Sequence, residues 1–268
     1  MASPNAALSA DAQAHSSPSS KRMSIQRYSK FKERSFITSK NEHIPLLESL
    51  SQSPRIVLLG DSMIERMQTT GQCTSLEPWP SASLLDDAHL ESERTKECPY
   101  QRLEGVFYAG VGGDKYENIL YRLYGDEERQ LPGLVDALRP PDIKLWFIHA
   151  GTNNLHPKRG LPAASVEVLR LVLETILAIS ASETRILLSG LFYRADVADQ
   201  LVDEANTKLE DLVASINDDA KTEPRLFFIR APDSVRIEVD LEDHVHLNAK
   251  GYRLWFEYLL PKLAIYSI

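Results

Sequence analysis

Five short apolar runs, separated by segments with helical periodicity, constrain the fold of this chain more than any other feature. The runs are rich in β-branched and aromatic residues and cover 55–59, 106–109, 144–149, 185–189 and 226–229. Runs of this length without polar alternation are typical of strands buried on both faces of a sheet. Helical patterns cover 115–124, 163–179, 198–220 and 248–263. This alternation predicts an α/β fold, a three-layer α/β/α sandwich with a five-stranded, doubly wound parallel sheet.

Length and charge exclude several classes of function. The 268 residues suffice for one large domain with a sizeable core. The net charge is −8, and because residues 1–44 hold seven Lys or Arg against three acids, the remainder carries −12. An acidic body lacks the clustered cations that bind phosphates, so no nucleic-acid partner is expected. No apolar run is long enough for a transmembrane segment, and none is expected.

The amino-terminal region differs in composition from the rest of the chain. Residues 1–22, rich in Ser, Ala and Pro, predict a disordered tail, and one domain is expected over 23–268. The basic segment 21–40 favours a helix packed on that domain; a mitochondrial presequence and a weak contact with anionic lipid are the alternatives. Because no secretory signal is found, a cytoplasmic location is expected, with a mitochondrial one as the alternative.

Residues 68–103 do not follow this alternation and are treated as an insertion in the domain. They contain turn formers, Trp79 and both cysteines, Cys73 and Cys98. Loops of this length are usually functional or disordered, so we predict a lid or acyl-pocket wall over the active edge, with a disordered surface insertion as the alternative. Two reduced thiols are favoured over a single disulfide between the cysteines.

Ser62 directly follows the first apolar run. Gly60 permits a tight strand-to-helix turn at this point, and Asp61 can stiffen the turn by hydrogen bonding. Ser62 is therefore a candidate nucleophile, with the cap of the following helix as the alternative role. Its surroundings are not Gly-x-Ser-x-Gly, which excludes the nucleophile elbow of the α/β-hydrolases.

Two further segments place hydrogen-bond donors after apolar runs. Gly-Val-Gly-Gly-Asp at 110–114 exposes backbone N–H groups, as an oxyanion site requires. A phosphate cradle is the alternative, although Lys115 stands where the dinucleotide fingerprint needs glycine. In Gly-Thr-Asn-Asn at 151–154, either one amide donates to an oxyanion or both asparagines stabilise a turn.

Asp243 and His246 lie near the end of the chain. Their spacing allows the carboxylate to accept a hydrogen bond from the imidazole and fix its tautomer. His244 and His246 are alternatively a metal pair, but no further ligands accompany them at suitable spacing, so no metal is expected. His149 and His156 are expected to be packing or supporting residues rather than the base.

These segments are expected to meet, because three of them follow strands whose carboxyl ends lie at one edge of the sheet. Together they supply a hydroxyl nucleophile, a base with an orienting carboxylate, and donors for an oxyanion. Those groups are what hydrolysis of an ester through an acyl-enzyme requires.

The four segments, in this order, resemble the four sequence blocks of the SGNH (GDSL) hydrolases. The likeness is closest to the catalytic alpha subunits of intracellular platelet-activating-factor acetylhydrolase, and it covers roughly residue 23 to the C-terminus. As in those subunits, the second block is followed by Leu-x-Arg-Leu at 120–123, the third passes through Trp146, and the fourth continues from Asp243 to Tyr252. The segment 68–103 is much longer than in those subunits.

The resemblance implies a flavodoxin-like (SGNH hydrolase) fold and assigns roles to individual residues. Ser62 resembles the nucleophile, His246 the base and Asp243 its orienting acid. The backbone N–H groups of Ser62 and Gly113 and the side-chain amide of Asn153 resemble the oxyanion hole. Supporting roles are expected for Asp61, Asp114 and Asn154. The resemblance implies no cofactor or metal, and a homodimer is one expected assembly.

The expected function is that of a serine esterase acting on short-chain, acetyl-type esters of a lipid, carbohydrate or small molecule. Two alternatives stay open at this point. One is a catalytically weak scaffold or binding protein on the same fold, because a fold alone does not fix a function. The other is an acyltransferase that uses the same triad to pass the acyl group to an alcohol or sugar.

Overall fold

A sheet of five parallel strands forms the centre of the molecule. The structure, a computed structural model, describes residues 27–92, 101–220 and 222–268. The strands are β1 (Ile56–Gly60), β2 (Val106–Gly110), β3 (Leu145–His149), β4 (Arg185–Ser189) and β5 (Leu226–Ile229). Their order is β2-β1-β3-β4-β5, as in doubly wound flavodoxin-like sheets. The predicted fold class is confirmed, and the observed strand ends lie within one residue of the predicted ones.

Helices flank the sheet in the described part of the chain. They are α1 (Glu33–Thr38), which continues through a π-helical turn (Ser39–His43) into α2 (Ile44–Glu48), then α3 (Ser62–Glu65), α4 (Asp87–Ser92), α5 (Tyr116–Tyr124), α6 (Leu134–Ala137), α7 (Ala163–Ile179), α8 (Asp199–Ala220), α9 (Ile237–Asp240) and α10 (Ala249–Tyr266). A 3-10 turn (Pro140–Asp142) and a two-stranded hairpin (Gly125–Asp126 with Leu131–Pro132) complete the described elements. No helix in these ranges is both long and apolar enough to cross a bilayer.

Alternate side chains of each strand pack on opposite faces of the sheet. In β1, Val57 and Leu59 join an apolar cluster closed by α2, α5, α7 and α8, whereas Ile56 and Leu58 join a second cluster closed by α3 and α10. All five residues of β1 are buried. Burial on both faces explains why this strand is a continuous apolar run in the sequence.

The segment after α3 is packed into the second cluster in its described part. Trp79 is fully buried and lies edge-on to Phe256 of α10, with ring centroids 5.3 Å apart. Its backbone pairs with Leu103 through two hydrogen bonds of 2.9 and 2.7 Å. The described residues of this segment thus contribute to the core, and the lid or acyl-pocket wall stays a prediction. Cys73 is a buried free thiol within it, and Cys98 lies outside the described residues.

The amino-terminal segment packs on the sheet edge beside α5. The backbone N–H of Lys30 donates to the carbonyl of Glu117 at 3.0 Å, and the amide of Asn118 donates to the carbonyl of Lys30 at 2.9 Å. The helix predicted within 21–40 begins at Glu33. The disordered tail predicted at 1–22 lies outside the described residues.

Candidate active site

Ser62 is the first residue of α3, immediately beyond the carboxyl end of β1. Asp61 caps this helix, because its side chain accepts a hydrogen bond of 3.0 Å from the backbone N–H of Met63. The hydroxyl of Ser62 is therefore not the cap. Gly60 is required here, because a Cβ on it would lie 2.0 Å from the carbonyl oxygen of His149 on β3.

The structure brings Ser62, His246 and Asp243 together in one chain of hydrogen bonds. His246 Nε2 lies 2.9 Å from Ser62 Oγ, and His246 Nδ1 lies 2.7 Å from Asp243 Oδ2. The other carboxylate oxygen of Asp243 accepts from the backbone N–H groups of Val245 and His246, each at 2.8 Å. Partial burial raises the pKa of Asp243, but the hydrogen bonds from His246 and Val245 outweigh it and hold the pKa well below its usual range.

Helix α10 fixes the distance between the imidazole and the hydroxyl. Asn248 caps α10 two residues after His246 by accepting from the backbone N–H of Gly251 at 3.0 Å. From the next turn, the hydroxyl of Tyr252 donates to the carbonyl of Met63 in α3 at 2.9 Å. The helix that follows His246 is thereby bonded to the helix that begins at Ser62.

The Gly-rich loop after β2 presents a backbone donor to the same cleft. Gly113 has a φ of +74°, a conformation that favours glycine, and it is exposed. Among the described residues, no acceptor pairs with its N–H. Gly112 is held instead, because its N–H donates to Glu65 Oε1 at 3.0 Å.

Asn153 and Asn154 have different partners. One N–H of the Asn153 amide donates to the carbonyl of Asp114 at 3.0 Å, whereas Asp61 Oδ2 lies 3.5 Å away, at the outer limit of a hydrogen bond. The Asn154 side chain accepts from the backbone N–H of Tyr116 at 3.1 Å and donates to Glu117 at 3.1 Å. Asn153 thus keeps a weakly engaged donor at the cleft, and Asn154 ties its loop to α5.

Two buried carboxyl groups support this edge of the sheet. Complete burial raises the pKa of Asp61 to about 7, against the hydrogen bond from Met63, and the nearby Asp114 adds to the rise. Asp114 forms a fully buried ion pair with Arg122 of α5 at 2.7 Å. Arg122 also donates to the carbonyls of Gly60 and Ala109, each at 3.0 Å. This arginine therefore joins α5 to the carboxyl ends of β1 and β2.

A cleft of about 300 Å³ opens over Ser62 Oγ. Most of its lining side chains are charged or hydrogen-bonding, and the lining residues are Arg34, Ser62, Glu65, Arg66, Gly112, Gly113, Thr152, Asn153, Arg194, His244, Val245 and His246. The three arginines are paired with carboxylates, Arg34 with Glu65, Arg66 with Glu242 and Arg194 with Asp196, each at 2.8 Å. Because the cleft is small and many of its lining side chains are charged or hydrogen-bonding, it is suited to small groups that carry polar atoms.

Arg194 and Glu65 are site residues that the sequence analysis did not identify. Arg194 donates to the carbonyl of Thr152 at 2.7 Å and so holds the loop that carries Asn153. Glu65 bonds the backbone of Gly112. Both act on backbone atoms of distant loops, and no motif marks such contacts. Arg122 was also given no role, although it lies in the Leu-x-Arg-Leu segment at 120–123 that is part of the family resemblance. That segment was the sequence feature that could have pointed to it.

The remaining histidines have other surroundings. His149 is fully buried against Phe192 and Trp255, and burial lowers its pKa to about 3, so its imidazole is neutral. His156 Nδ1 accepts from the backbone of Lys158 at 3.0 Å. Within the described ranges, no group of three or more His, Cys, Asp or Glu side chains is arranged to hold a metal ion.

The arrangement supports one kind of chemistry. A hydroxyl bonded to an imidazole, whose second nitrogen is bonded to a carboxylate, is the geometry of an activated oxygen nucleophile. Donors beside that hydroxyl are suited to a developing negative charge on oxygen.

Solved structures with the same fold include three of broad coverage. A protein provisionally designated a platelet activating factor, from Streptococcus pneumonia, has a TM-score of 0.53 and 14% identity over 93% of this chain and 94% of its own. A protein provisionally designated an acylhydrolase, from Bacteroides fragilis, has a TM-score of 0.54 and 15% identity over 87% of this chain and 99% of its own. A family two carbohydrate esterase from Clostridium thermocellum, solved with cellohexaose, has a TM-score of 0.53 and 11% identity over 81% of this chain and 66% of its own.

Identities this low establish a common fold and nothing further. No curated protein is significantly similar in sequence to this chain. A model of the GDSL-like lipase/acylhydrolase family, however, matches residues 58–254, which include all four sequence blocks. The chain therefore belongs to the GDSL-like lipase/acylhydrolase family, as its blocks predicted.

Proposed function

We propose that the protein is a serine esterase that hydrolyses short-chain carboxylic esters through an acyl-enzyme. Membership of an acylhydrolase family supports ester hydrolysis in general. The observation that carries the serine mechanism is the distance of 2.9 Å between Ser62 Oγ and His246 Nε2, with Asp243 bonded to the opposite nitrogen.

In the proposed reaction, His246 accepts the proton of Ser62 as Oγ attacks the ester carbonyl carbon. The carbonyl oxygen becomes an oxyanion that accepts from the backbone N–H groups of Ser62 and Gly113 and from the amide of Asn153. The imidazolium, stabilised by Asp243, then protonates the departing alcohol, which leaves Ser62 acylated. His246 next accepts a proton from water as the water oxygen attacks the acyl carbon, and the imidazolium then returns that proton to Ser62 Oγ as the bond to the acyl carbon breaks and the acid is released.

The cleft supports a short acyl group and a polar alcohol. Its volume of about 300 Å³ leaves little room for a long acyl chain, and its arginine, histidine, threonine and asparagine side chains can hydrogen-bond a polar alcohol. The resemblance of the sequence blocks to those of the platelet-activating-factor acetylhydrolase alpha subunits points the same way, toward acetyl esters. We therefore propose acetyl to butyryl esters as substrates, with a polar alcohol such as a sugar as the leaving group.

Covalent labelling tests the proposed nucleophile. A fluorophosphonate probe is expected to label wild-type protein once per chain, and Ser62→Ala is expected to abolish both labelling and hydrolysis of p-nitrophenyl acetate. Ser49→Ala is the matched control, because the exposed Ser49 hydroxyl bonds the carbonyl of Leu46 in its own helix turn. Wild-type protein that is neither labelled nor active would instead favour a scaffold on this fold.

A panel of p-nitrophenyl esters of increasing acyl length tests the proposed substrate class. We expect kcat/KM to be highest from acetyl to butyryl and to fall at longer chains, since the cleft offers no long apolar channel among its described lining residues. A maximum at octanoyl or beyond contradicts this part of the proposal. Product analysis with an added sugar alcohol distinguishes hydrolysis from acyl transfer.

A further inference from the structure

A lysine from outside the family-matched region contacts the Gly-rich loop. The family model matches residues 58–254, so the segment around Lys32 precedes it. Lys32 Nζ nevertheless donates to the carbonyl oxygen of Gly112 at 2.7 Å and lies 3.5 Å from Asp114 Oδ1. Its side chain is only 29% exposed.

The residues on both sides of Lys32 are hydrogen-bonded to the rest of the domain. On one side, Lys30 is bonded through its backbone to α5, at Glu117 and Asn118. On the other, the buried hydroxyl of Ser35 donates to Asp114 Oδ1 at 2.5 Å. These bonds hold the segment in place, so the ammonium group of Lys32 lies beside the Gly-rich loop in a fixed position.

The contact with Gly112 sets the direction of the next N–H group. The carbonyl of Gly112 and the N–H of Gly113 belong to one planar trans peptide, in which the two groups point in opposite directions. A side chain that holds the carbonyl on one side consequently directs the Gly113 N–H to the other. Gly113 lines the cleft over Ser62, whereas Lys32 is absent from the described lining residues.

The N–H of Asp114 closes the turn by donating to the carbonyl of Val111 at 3.1 Å, but this bond does not involve the central Gly112–Gly113 peptide, which can flip within the turn. Glycine permits many backbone conformations, and the loop has two glycines in succession. Glu65 fixes the preceding peptide through the N–H of Gly112 at 3.0 Å, so Lys32 controls the one that carries the Gly113 N–H. A cation on the carbonyl also polarises the peptide and strengthens its N–H as a donor.

We propose that Lys32 is a positioning residue of the oxyanion site, acting through the Gly112 carbonyl to aim and polarise the Gly113 N–H. The inference rests on the proposed esterase function. Because an oxyanion donor acts on the transition state more than on the bound ester, loss of Lys32 should lower kcat and leave KM nearly unchanged.

The experiment compares variants of the full chain with p-nitrophenyl acetate. Removing an oxyanion donor costs about 10²–10³ in rate, so a misdirected donor in Lys32→Met is expected to lower kcat about 10- to 100-fold, with KM within about threefold. Lys30→Met is the matched control, since Lys30 is exposed and its ammonium pairs with Glu117 at 3.4 Å. This control is expected to keep wild-type kcat.

Chemical rescue separates positioning from a structural role. In Lys32→Ala, added ethylammonium is expected to restore part of kcat by occupying the vacated place beside the Gly112 carbonyl, and ethanol is not. A merely structural defect would lower the midpoint of thermal unfolding and would not respond to a small cation.

The outcomes are distinguishable from failure of the esterase proposal. If wild-type protein is labelled at Ser62 and active, but Lys32→Met keeps kcat within twofold or raises only KM, this inference is overturned and the esterase stands. Absence of ethylammonium rescue, with a loss of activity matched by loss of folded protein, also overturns it. Wild-type protein that neither reacts with the probe nor cleaves esters removes both proposals together.

Discussion

At the scale of residues, the neighbouring Asn153 and Asn154 are expected to have different roles, the first in turnover and the second in stability. Asn153→Ala is expected to lower kcat about 10²–10³-fold with little change in KM, because it removes a proposed oxyanion donor. Asn154→Ala is expected to lower thermal stability, since it leaves the buried N–H of Tyr116 without its acceptor. Steady-state kinetics and thermal unfolding of both variants are the measurements. Turnover of Asn153→Ala within a few-fold of wild type contradicts the oxyanion role.

Asp61 should make stability dependent on pH. Its pKa is about 7 in the folded protein, well above the value of about 4 in an unfolded chain. The contribution of the buried, protonated Asp61 carboxyl to the free energy of unfolding is therefore fully present below about pH 4. It is lost as the pH rises through about 7. Asp61→Asn keeps an oxygen for the Met63 N–H and has no charge to bury.

The difference in the free energy of unfolding between wild type and Asp61→Asn, followed as a function of pH, isolates the effect of this carboxyl group. We expect Asp61→Asn to gain stability over wild type, on the order of 2–4 kcal/mol, as the pH is raised from 4 to 8. Urea unfolding at each pH measures it, and Asp142→Asn on the exposed surface is the control. Parallel stability curves for wild type and Asp61→Asn would show that burial does not perturb this carboxyl group.

Part of the site was predictable because strand ends impose it. Ser62, Asn153 and the Gly-rich loop each follow a strand, so a parallel sheet brings them to one edge without further information. Asp243 and His246 were recognisable from their spacing. Lys32, Glu65 and Arg194 were not, because each bonds a backbone atom of a loop distant in sequence. Such contacts depend on where the loop lies, which residue types and spacing do not encode.

At the scale of elements, the segment between α3 and β2 is a structural part of the core. Trp79→Ala is expected to lower the free energy of unfolding by about 3–5 kcal/mol, because it leaves a cavity against Phe256. The kcat/KM of the remaining folded protein should stay near wild type, since no described residue of this segment lines the cleft. Denaturant unfolding and kinetics on an acetyl ester measure the two quantities. Unchanged stability with a large fall in kcat/KM would instead favour the predicted lid.

The elements differed in how far the sequence predicted them. The strands and the helix Ala163–Ile179 were placed closely, because their apolar residues recur at a regular period. The packing of Trp79 and Leu85 was missed. They are separated by turn-forming residues, so no period accompanies their burial.

At the scale of the whole molecule, the amino-terminal boundary of the domain can be tested by truncation. A chain that begins at residue 23 is expected to keep the thermal stability and kcat of the full chain, as the predicted tail ends there. A chain that begins at residue 36 loses Lys32 and the Ser35 bond to Asp114, and should lose both properties. Thermal unfolding and ester kinetics report the result. Full activity in the shorter chain would show that the segment before the matched region is dispensable.

The bond from Tyr252 to Met63 has a consequence for how the molecule matures. The serine and the imidazole are 184 positions apart, and the helix that ties them together ends at Tyr266. During synthesis the nucleophile emerges from the ribosome early, while its base and the fastening helix are still to be made. On the proposed mechanism, a nascent chain cannot attack cellular esters until α10 has been made and has folded onto α3.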